Sequence, residues 1–356
     1  MKALVLAGGS GTRLRPITHT SAKQLVPVGN KPILHFVLES LVTAGVVDVG
    51  MIVGDTAAEI QASVGDGGDW GADVTYIRQE APLGLAHAVR TAEQFLGDDD
   101  FVVYLGDNLI LDGIKPLVEE FRAERPNSQI LLTRVPEPER FGVAELGADG
   151  RVVRLVEKPK RPKSDLALVG VYMFDRHVHE ATHAIKPSER GELEITDAIQ
   201  WLIDNGYDVR PHLITGWWKD TGRLEDLLEA NRQVLDELVA ENRGSIDAES
   251  RIEGKVVIQA GAVVERSTIR GPAIIGERTR IVDSYVGPFT SIYFDCLIDS
   301  AEIENSVVLE QSVIRDLRRI ESSLIGKNVE VGRSGERPRA YRLMLGDHSR
   351  VGVITE

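Results

Sequence analysis

A glycine-rich loop close to the amino terminus has the composition of a phosphate-binding site. The stretch LAGGSGTRL places Gly8, Gly9 and Gly11 directly after an apolar, strand-like run. Because glycine carries no side chain, the backbone N–H groups of such a loop can approach a phosphate closely. The loop lacks the Gly-Lys-Ser/Thr ending of a Walker loop and the third glycine of the dinucleotide-binding fingerprint. The sequence therefore predicts a phosphate site of another kind.

Cations without acidic neighbours follow this loop. Arg13, Arg15 and Lys23 lie in it or shortly after it, and the first acidic residue of the chain is Glu39. The whole chain, in contrast, carries a formal net charge of -14. Nucleic acids and anionic membranes require a broad positive surface, which an acidic protein does not offer. The local cluster of cations therefore predicts a site for a small polyphosphate.

An acidic residue at the end of a predicted strand is a candidate metal ligand. Asp107 follows the apolar run FVVYL and Gly106. Open α/β sheets bind their ligands at the carboxyl ends of strands. Mg²⁺ takes a few hard oxygen ligands from the protein and adds phosphate oxygens and water. Asp107 is therefore predicted to hold Mg²⁺ beside the phosphate site.

Strand-like and helical segments alternate from Lys2 to about Leu238, and they must position these residues. The runs KALVL, VGMIV, VTYI and FVVYL are typical of strands, whereas KPILHFVLESLVTAG and LGLAHAVRTAEQFLG have apolar residues at helical spacing. The alternation predicts an α/β domain with a mixed, mainly parallel sheet over residues 1–240. The polar stretch 241–250 is predicted to be a linker.

A repeat of 17 residues occupies the region after the predicted linker. Its three rows of aliphatic residues are Ile252, Ile269, Val286, Ile303 and Ile320; Ile258, Ile275, Ile292 and Leu309; and Val264, Ile281, Ile298 and, after a slip of one residue, Ile314. The steps of six, six and five residues are similar to the hexapeptide repeat of a left-handed parallel β-helix, whose aliphatic side chains stack inward. We therefore predict a β-helix over residues 251–356. Ser291, next to an inward position, is expected to face outward and tolerate polar replacement.

Length and composition narrow the class of protein. A chain of 356 residues is long enough for two domains. The single Cys296 favours a reducing compartment without disulfides. Only ALVLA is apolar before the first glycines, which is too short for a signal peptide or a membrane span. We expect a cytoplasmic protein without nucleic-acid or membrane partners.

The loop and several later motifs resemble the sugar-1-phosphate nucleotidylyltransferases, and among them the long form of the glucose-1-phosphate thymidylyltransferases. Besides LAGGSGTRLRPIT and KQLVPVGNKPIL, the motifs QEAPLGLAHAV, YLGDN, RFGVAEL, EKPKRPKS, GVYMFD, RGELEITD and WWKDTG occur in the family's order. The resemblance implies a Rossmann-like nucleotidyltransferase domain and a homo-oligomer. It implies Mg²⁺-dependent transfer of a thymidylyl group from dTTP to α-D-glucose 1-phosphate, which gives dTDP-glucose and pyrophosphate.

The resemblance also implies roles in this reaction. A phosphate oxygen of the sugar phosphate would attack the α-phosphorus of dTTP, so the protein must align two polyanions and screen their repulsion. Arg13 would neutralise the α- and β-phosphates and the departing pyrophosphate, and Lys23 would hold the α-phosphate. Asp220 would share the Mg²⁺ with Asp107. The implied catalytic residues are Arg13, Lys23 and Asp107.

Both substrates have further binding residues by the same resemblance. Gln79 would pair with the pyrimidine edge, and Gly84 would leave room for the ring. Glu157 would accept hydrogen bonds from sugar hydroxyls, and Lys158 would hold the sugar phosphate. The other implied nucleotide-binding residues are Leu6, Gly8, Gly9, Gly11, Thr12 and Pro82, and the other sugar-phosphate-binding residues are Asn108, Gly142, Val169 and Trp218.

Three other functions are alternatives to thymidylyl transfer. A relative that uses UTP or forms ADP-glucose would share most of these motifs. Acyl transfer by the β-helix is disfavoured, because the only histidine after the linker is His348. A non-catalytic scaffold is disfavoured because Arg13, Lys23, Asp107 and Asp220 are all present. The β-helix is therefore expected to serve assembly or regulation, and a chain that ends near Arg243 is expected to retain transfer.

Overall fold

The computed structural model describes residues 1–9, 11, 14–15, 17, 22–214 and 216–333. An α/β unit comes first, and a stack of short strands follows it. The strands of the α/β unit are β1 (Lys2–Leu6), β2 (Pro27–Val28), β3 (Lys31–Pro32), β4 (Asp48–Val53), β5 (Asp73–Arg78), β6 (Phe101–Leu105), β7 (Asn108–Ile110), β8 (Ser128–Arg134), β9 (Gly142–Leu146), β10 (Val152–Glu157), β11 (Leu166–Phe174), β12 (Val209–Leu213) and β13 (Trp218–Asp220).

Helices cover both faces of the main sheet. Their bounds are α1 (Ile33–Thr43), α2 (Ala57–Val64), α3 (Leu85–Thr91), α4 (Glu93–Leu96), α5 (Lys115–Glu124), α6 (His177–Ala184), α7 (Ile195–Asp204) and α8 (Leu224–Asp236). The helix predicted over 83–97 is thus interrupted at Ala92. Within the described ranges, no helix is both long and apolar enough to cross a membrane.

Nine of the described strands form one mixed sheet. Its order is β10-β9-β11-β6-β1-β4-β5, and β8 bonds to β11 and to β12. The pairs around β1 are parallel, whereas the pairs that β11 makes are antiparallel. The four strands predicted from apolar runs are β1, β4, β5 and β6, which lie next to one another. The predicted α/β fold is confirmed.

Strand β1 shows why its sequence is a continuous apolar run. Ala3 and Val5 pack in the core that contains α1, whereas Leu4 and Leu6 pack on the opposite side with α3. Alternate residues of a strand face opposite sides of the sheet, so a strand covered on both faces must be apolar throughout. The loop after Leu6 therefore emerges from a rigid, buried strand.

Short parallel strands build the C-terminal domain. Their bounds are β14 (Glu241–Asn242), β15 (Ser245–Ile246), β16 (Arg251–Glu253), β17 (Val256–Ile258), β18 (Val263–Glu265), β19 (Thr268–Arg270), β20 (Ala273–Ile275), β21 (Arg280–Val282), β22 (Tyr285–Val286), β23 (Thr290–Ile292), β24 (Leu297–Glu304), β25 (Val307–Val308), β26 (Val313–Glu321), β27 (Leu324–Ile325) and β28 (Glu330–Val331). Each strand pairs in parallel with its equivalent in the next coil, which confirms the predicted β-helix over the described residues. Residues 334–356 of the predicted range lie outside them.

The inward register of the coils is almost the predicted one. The first row pairs in order from Ile252 to Ile320, and the third row from Val264 to Ile314. The second row differs, because Ile292 pairs with Val308 and not with Leu309. The five-residue step therefore occurs one row earlier than the sequence predicted. Val308 is fully buried in the core of the β-helix.

Residues 241–250 are not the predicted linker. Glu241 and Asn242 pair with β17, and Ser245 and Ile246 pair with β18. These residues thus form part of the first coil. Their sequence is polar because a terminal coil has a neighbour on one side only and exposes the other side to water.

Ser291 does not have the exposed environment on which its expected tolerance of polar replacement depended. Its side chain does face away from the interior of the β-helix, but it is fully buried. The Ser291 hydroxyl donates a 2.6 Å hydrogen bond to Oδ1 of Asn231 in α8. The repeat shows which residues face inward, but it does not show that the α/β unit covers this outer face.

Candidate active site

Most of the predicted site residues line one cleft of about 390 Å³ at the carboxyl ends of β1 and β6. The residues from the prediction that line it are Leu6, Gly8, Gly9, Gly11, Lys23, Gln79, Pro82, Gly84, Asp107, Asn108, Gly142, Glu157, Lys158, Trp218 and Asp220. Thr12 and Arg13 lie outside the described residues. The position of the cleft agrees with the general placement of ligands in open α/β sheets.

Val169 does not present its side chain to the cleft. Leu168 and Gly170 line the cleft, whereas Val169 lies between them in β11 and packs in the core together with Val171. Neighbouring residues of a strand point to opposite faces of the sheet. The resemblance identified the correct strand, but the side chain at this position faces away from the cleft.

Lys23 and Asp107 form a largely buried ion pair in the cleft. The Lys23 ammonium donates to Oδ2 of Asp107, and the two side chains are only 16% and 9% exposed. Burial alone would raise the pKa of the Asp107 carboxyl, but the charge of Lys23 and the hydrogen bonds to the carboxylate lower that pKa below its ordinary value. Asp107 is therefore ionised, and it fixes the ammonium group inside the cleft.

Gly9 leaves room for this lysine, whose side chain would have to shift if a Cβ atom were present. A Cβ atom at Gly9 would lie 2.8 Å from Cε of Lys23, which is closer than such atoms approach in proteins. The glycine-rich loop and the lysine are therefore packed against each other. The sequence predicted that the glycines make room for a phosphate; at this position they also make room for the cation.

Pairing between two short strands brings Asp220 to Asp107. Strand β13 pairs antiparallel with β7, and Asp220 lies opposite Asn108. The backbone N–H and the hydroxyl of Thr221 donate to the carbonyl oxygen of Asp107 over 3.1 and 2.8 Å. Two carboxylates that are 113 positions apart in the sequence therefore lie in the same cleft.

Asn108 and Trp218 form a fixed part of the wall. Oδ1 of Asn108 accepts hydrogen bonds from Nε1 of Trp218 at 2.7 Å and from the backbone N–H of Gly170 at 3.2 Å. Nδ2 of Asn108 donates to Oδ1 of Asp107 over 3.3 Å. The ring of Trp218 packs edge-on against Phe141. The carboxylate of Asp107 is therefore held at both oxygens, by Asn108 at Oδ1 and by Lys23 at Oδ2.

Glu157 is the centre of a second polar cluster in the cleft. Its Oε1 lies 3.2 Å from Nζ of Lys158 and 3.4 Å from Nη1 of Arg190, and its Oε2 accepts from the hydroxyl of Thr196 over 3.3 Å. Burial raises the pKa of Glu157, and the charge of Lys158 offsets this only in part. A Cβ at Gly142 would lie 2.6 Å from Thr196. The predicted glycine therefore makes room for this cluster.

Gln79 and Gly84 lie together, but the reason for the glycine differs from the predicted one. Nε2 of Gln79 donates to the carbonyl oxygen of Gly84 over 3.3 Å and lies 2.9 Å from Nδ1 of His87. Gly84 has φ of 106°, and a Cβ there would lie 2.3 Å from the carbonyl oxygen of Leu193. The backbone at Leu193 and the positive φ require glycine, whatever ring binds nearby.

Comparison with known proteins identifies the family. A family model described as nucleotidyl transferase matches residues 2–237. The chain belongs to the nucleotidyl transferase family. The cleft lies within the matched residues, and so do both carboxylates.

Relatives within this family match almost the whole chain. A curated glucose-1-phosphate thymidylyltransferase from Streptomyces antibioticus is 59% identical over 354 residues, and one from Streptomyces griseus is 57% identical over 353 residues; each match covers 99% of both chains. A solved structure from Bacillus anthracis, described as a candidate glucose-1-phosphate thymidylyltransferase in complex with a sucrose, is 38% identical. It covers 68% of this chain and 98% of its own, with a TM-score of 0.63.

Sequence reasoning missed several residues of this nucleotidyl transferase cleft. They include Gln24, Arg140, Tyr172, Arg190, Glu194 and Thr196. Gln24 is 1% exposed, and both polar atoms of its amide lack a hydrogen-bond partner within the described part of the chain. A buried amide without a partner is costly, so a ligand that bonds to it would be favoured. The signals were present, because Gln24 follows Lys23 and three of the others lie in RGELEITD.

Tyr172 lines the same cleft as both polar clusters. Burial raises the pKa of Tyr172 above its ordinary value, and the charges of Glu157, Asp220 and Asp107 raise it further. A phosphate-rich ligand that spans the cleft would therefore meet carboxylates suited to a cation and lysines suited to phosphate oxygens. The arrangement can hold two anions close together, which is what transfer between phosphates requires.

Proposed function

We propose that this chain transfers a thymidylyl group from dTTP to α-D-glucose 1-phosphate and releases dTDP-glucose and pyrophosphate. The observation that carries the proposal is the presence of Lys23, Asp107, Asp220, Glu157 and Lys158 in a single cleft. The Streptomyces relatives, which match over nearly the full length, bear the name of this activity. The domain matched by the family contains the whole cleft.

The reaction needs no nucleophile from the protein. A phosphate oxygen of the sugar phosphate forms the new bond to the α-phosphorus of dTTP. The bond from that phosphorus to the oxygen of the β-phosphate breaks, and pyrophosphate leaves with the electron pair. Because both reactants are polyanions, the protein has to hold them in line and neutralise their charge. Electrostatic stabilisation of this kind is a large part of enzymatic rate enhancement.

We assign Lys23 to the phosphate that reacts. Its ion pair with Asp107 holds the ammonium in the cleft before substrate arrives. We propose that the α-phosphate of dTTP accepts hydrogen bonds from this ammonium while Asp107 keeps it in place. Arg13 is assigned to the α- and β-phosphates and to the leaving pyrophosphate; this role rests on its motif.

Asp107 and Asp220 fit a magnesium ion. Mg²⁺ is commonly bound by one or two carboxylates and completes its shell with water and substrate phosphates. The described residues contain no group of three or more His, Cys, Asp or Glu with the arrangement of a metal site, so an all-protein cage is not formed there. When bound, the ion would neutralise charge on the phosphate oxygens. The two carboxylates would hold it, and Asn108 would orient Asp107.

The remaining polar groups are assigned to the sugar and the base. Glu157 accepts hydrogen bonds from sugar hydroxyls, and Lys158 donates to the sugar phosphate. Thr196 keeps the Glu157 carboxylate in position through its hydroxyl. Gln24 and Gln79 offer amide groups, which can pair with the donor and acceptor edge of a pyrimidine.

The substrates are tested with a matrix of nucleoside triphosphates against sugar 1-phosphates, with pyrophosphate release as the measured quantity. We expect dTTP with glucose 1-phosphate to give the highest kcat/KM. We expect release to stop in excess EDTA and to return when Mg²⁺ is added. A higher kcat/KM with UTP or ATP would refute the assigned base, and undiminished release in EDTA would refute the magnesium site.

Lys158 should act on binding of one substrate. Because its ammonium is assigned to the sugar phosphate, Lys158→Ala should raise KM for glucose 1-phosphate about tenfold, the effect of losing one charge-assisted hydrogen bond. KM for dTTP should change much less. Lys160→Ala is the matched control, since Lys160 is an exposed lysine of the same loop. Equal increases in both KM values would contradict the assignment.

A further inference from the structure

The β-helix docks on the α/β unit through one of its outer faces. Val257 and Ile274, which face outward from neighbouring coils, pack against Leu235 of α8. Ser291 continues this column one coil further and is fully buried. Nζ of Lys255 donates to the carbonyl oxygen of Asp236 at the end of α8 over 2.6 Å.

Asn231 of α8 joins three segments at the centre of this contact. Its side-chain Oδ1 accepts hydrogen bonds from the backbone N–H of Gly29 at 2.9 Å and from the hydroxyl of Ser291 at 2.6 Å. Its Nδ2 donates to the carbonyl oxygen of Phe289 over 3.1 Å. Asn231 is 1% exposed. A buried amide with three partners fixes those partners relative to one another.

The segment that contains Gly29 is the short hairpin of β2 and β3. Gly29 and Asn30 form its turn, with φ of 56° and 58°. A Cβ at Gly29 would lie 2.4 Å from Cγ1 of Val234, so the turn is pressed against α8. Nδ2 of Asn30 reaches the β-helix directly and donates to the carbonyl oxygen of Ile292 over 2.7 Å.

This hairpin follows directly after the residues that enter the cleft. Lys23, Gln24 and Leu25 form a single 3-10 turn, and the N–H of Val26 at the start of the hairpin donates to the carbonyl oxygen of Lys23 over 3.3 Å. Unlike Asp107, which follows a central strand, Lys23 lies on a segment whose nearest strands have two residues each. Leu324 of the β-helix also packs on the small core that contains Val26.

We propose that the β-helix positions the Lys23 segment for catalysis, through Asn231 and the turn at Gly29 and Asn30. The β-helix would then contribute to transfer without supplying any catalytic residue. Asn30 lies in the hairpin, Asn231 bonds to it, and Ser291 bonds to Asn231. None of the three lines the cleft, so they are positioning residues. The expected effect on kcat rests on the proposed function, because it concerns the rate of thymidylyl transfer. A chain that ends near Arg243, which was expected to retain transfer, should by this proposal retain it at a lower rate.

The test compares two variants of the full-length chain that each lose one hydrogen bond between the same two domains. Asn30→Gly removes the bond to Ile292 and keeps a residue that adopts positive φ readily. Lys255→Ala removes the bond to the carbonyl oxygen of Asp236, in which no residue of the hairpin takes part. Amide hydrogen exchange in residues 22–33 and steady-state kinetics are measured on both, together with Tm.

We expect Asn30→Gly to speed exchange of the Leu25, Val26 and Ile33 amides, which bond to Ala22, Lys23 and Val26. We expect its kcat to fall about tenfold with little change in Tm, since small displacements of catalytic groups reduce rates strongly. Lys255→Ala should change neither the exchange of these amides nor kcat. Asn30→Asp, which cannot donate to the carbonyl of Ile292, should behave like Asn30→Gly, whereas Asn30→His, which can donate, should restore part of kcat.

Three results would overturn the proposal. The first is unchanged exchange or unchanged kcat in Asn30→Gly, and the second is an equal effect of Lys255→Ala. The third is a fall in kcat that simply follows a fall in Tm. Failure of the proposed function is a different outcome. The wild-type protein would then release no pyrophosphate from dTTP and glucose 1-phosphate. The exchange measurement would still show whether the β-helix holds the Lys23 segment.

Discussion

Replacement of Lys23 by alanine is expected to lower kcat by about a hundredfold or more, which is the typical effect of losing one well-placed charge that stabilises a transition state. KM for dTTP should change less, because Lys23 is assigned to stabilising the transition state more than the bound substrate. The ammonium is already held inside the cleft by Asp107, so little reorganisation is needed when substrate binds. Steady-state pyrophosphate release measures both parameters.

The same substitution also leaves Asp107 buried without its cationic partner. The pKa of Asp107 should then rise, because burial opposes its charge and the lysine no longer favours it. Thermal unfolding has to be measured beside kcat to separate this effect from catalysis. Lys2→Ala is the control, since Lys2 forms an ion pair with Asp99 at the other end of β1. Similar kcat values for the two variants would refute the role of Lys23.

Ile292→Asp should have the largest effect on stability. Ile292 is fully buried in the β-helix core, where it stacks between Ile275 and Val308. The substitution removes a large aliphatic group and buries a carboxyl without a partner. We expect the free energy of unfolding to fall by about 4 kcal/mol or more, as the sum of a cavity and a desolvated polar group. Urea-induced unfolding at neutral pH measures it.

Val263→Asp is the matched control for that variant. Val263 is a half-buried aliphatic residue that faces outward in β18 and lies next to Arg280 of the following coil. A carboxylate there meets water and a guanidinium, so we expect a change within about 1 kcal/mol. If Val263→Asp proved the more damaging of the two, the inward register of the coils would be wrong. Ser291 cannot serve as this control, because its hydroxyl is buried against Asn231.

Local sequence patterns predicted the parts of the structure that depend on local physics. The four apolar runs form four adjacent strands, and the buried residues of the central three are apolar because both faces of these strands are covered. The aliphatic rows of the tail became the stacked interior because each coil repeats the same three positions. The sequence predicted Leu309 as the inward residue where the structure has Val308. Both residues are aliphatic, so either one satisfies the pattern.

Long-range contacts could not be predicted in the same way. No spacing rule shows that Asp220 reaches Asp107; the structure shows that β13 pairs with β7 beside it. To predict that Val169 faces away from the cleft, one has to know its position in β11. To predict that Ser291 is buried, one has to know how the two domains dock. Polar residues 241–250 looked like a linker because a terminal coil has the composition of a loop. For Asp220 and Ser291 the deciding contact comes from a segment distant in sequence, whereas residues 241–250 pair with the next coil.

In the proposed reaction the sugar phosphate itself attacks dTTP in this cleft. Its most direct test is a reaction with glucose 1-phosphate that carries ¹⁸O in the non-bridging oxygens of its phosphate, followed by mass spectrometry of the products. We expect dTDP-glucose to retain all of the label and pyrophosphate to contain none, because a labelled oxygen forms the bond to the α-phosphorus. Label in pyrophosphate, loss of label from dTDP-glucose, or the absence of dTDP-glucose would contradict it.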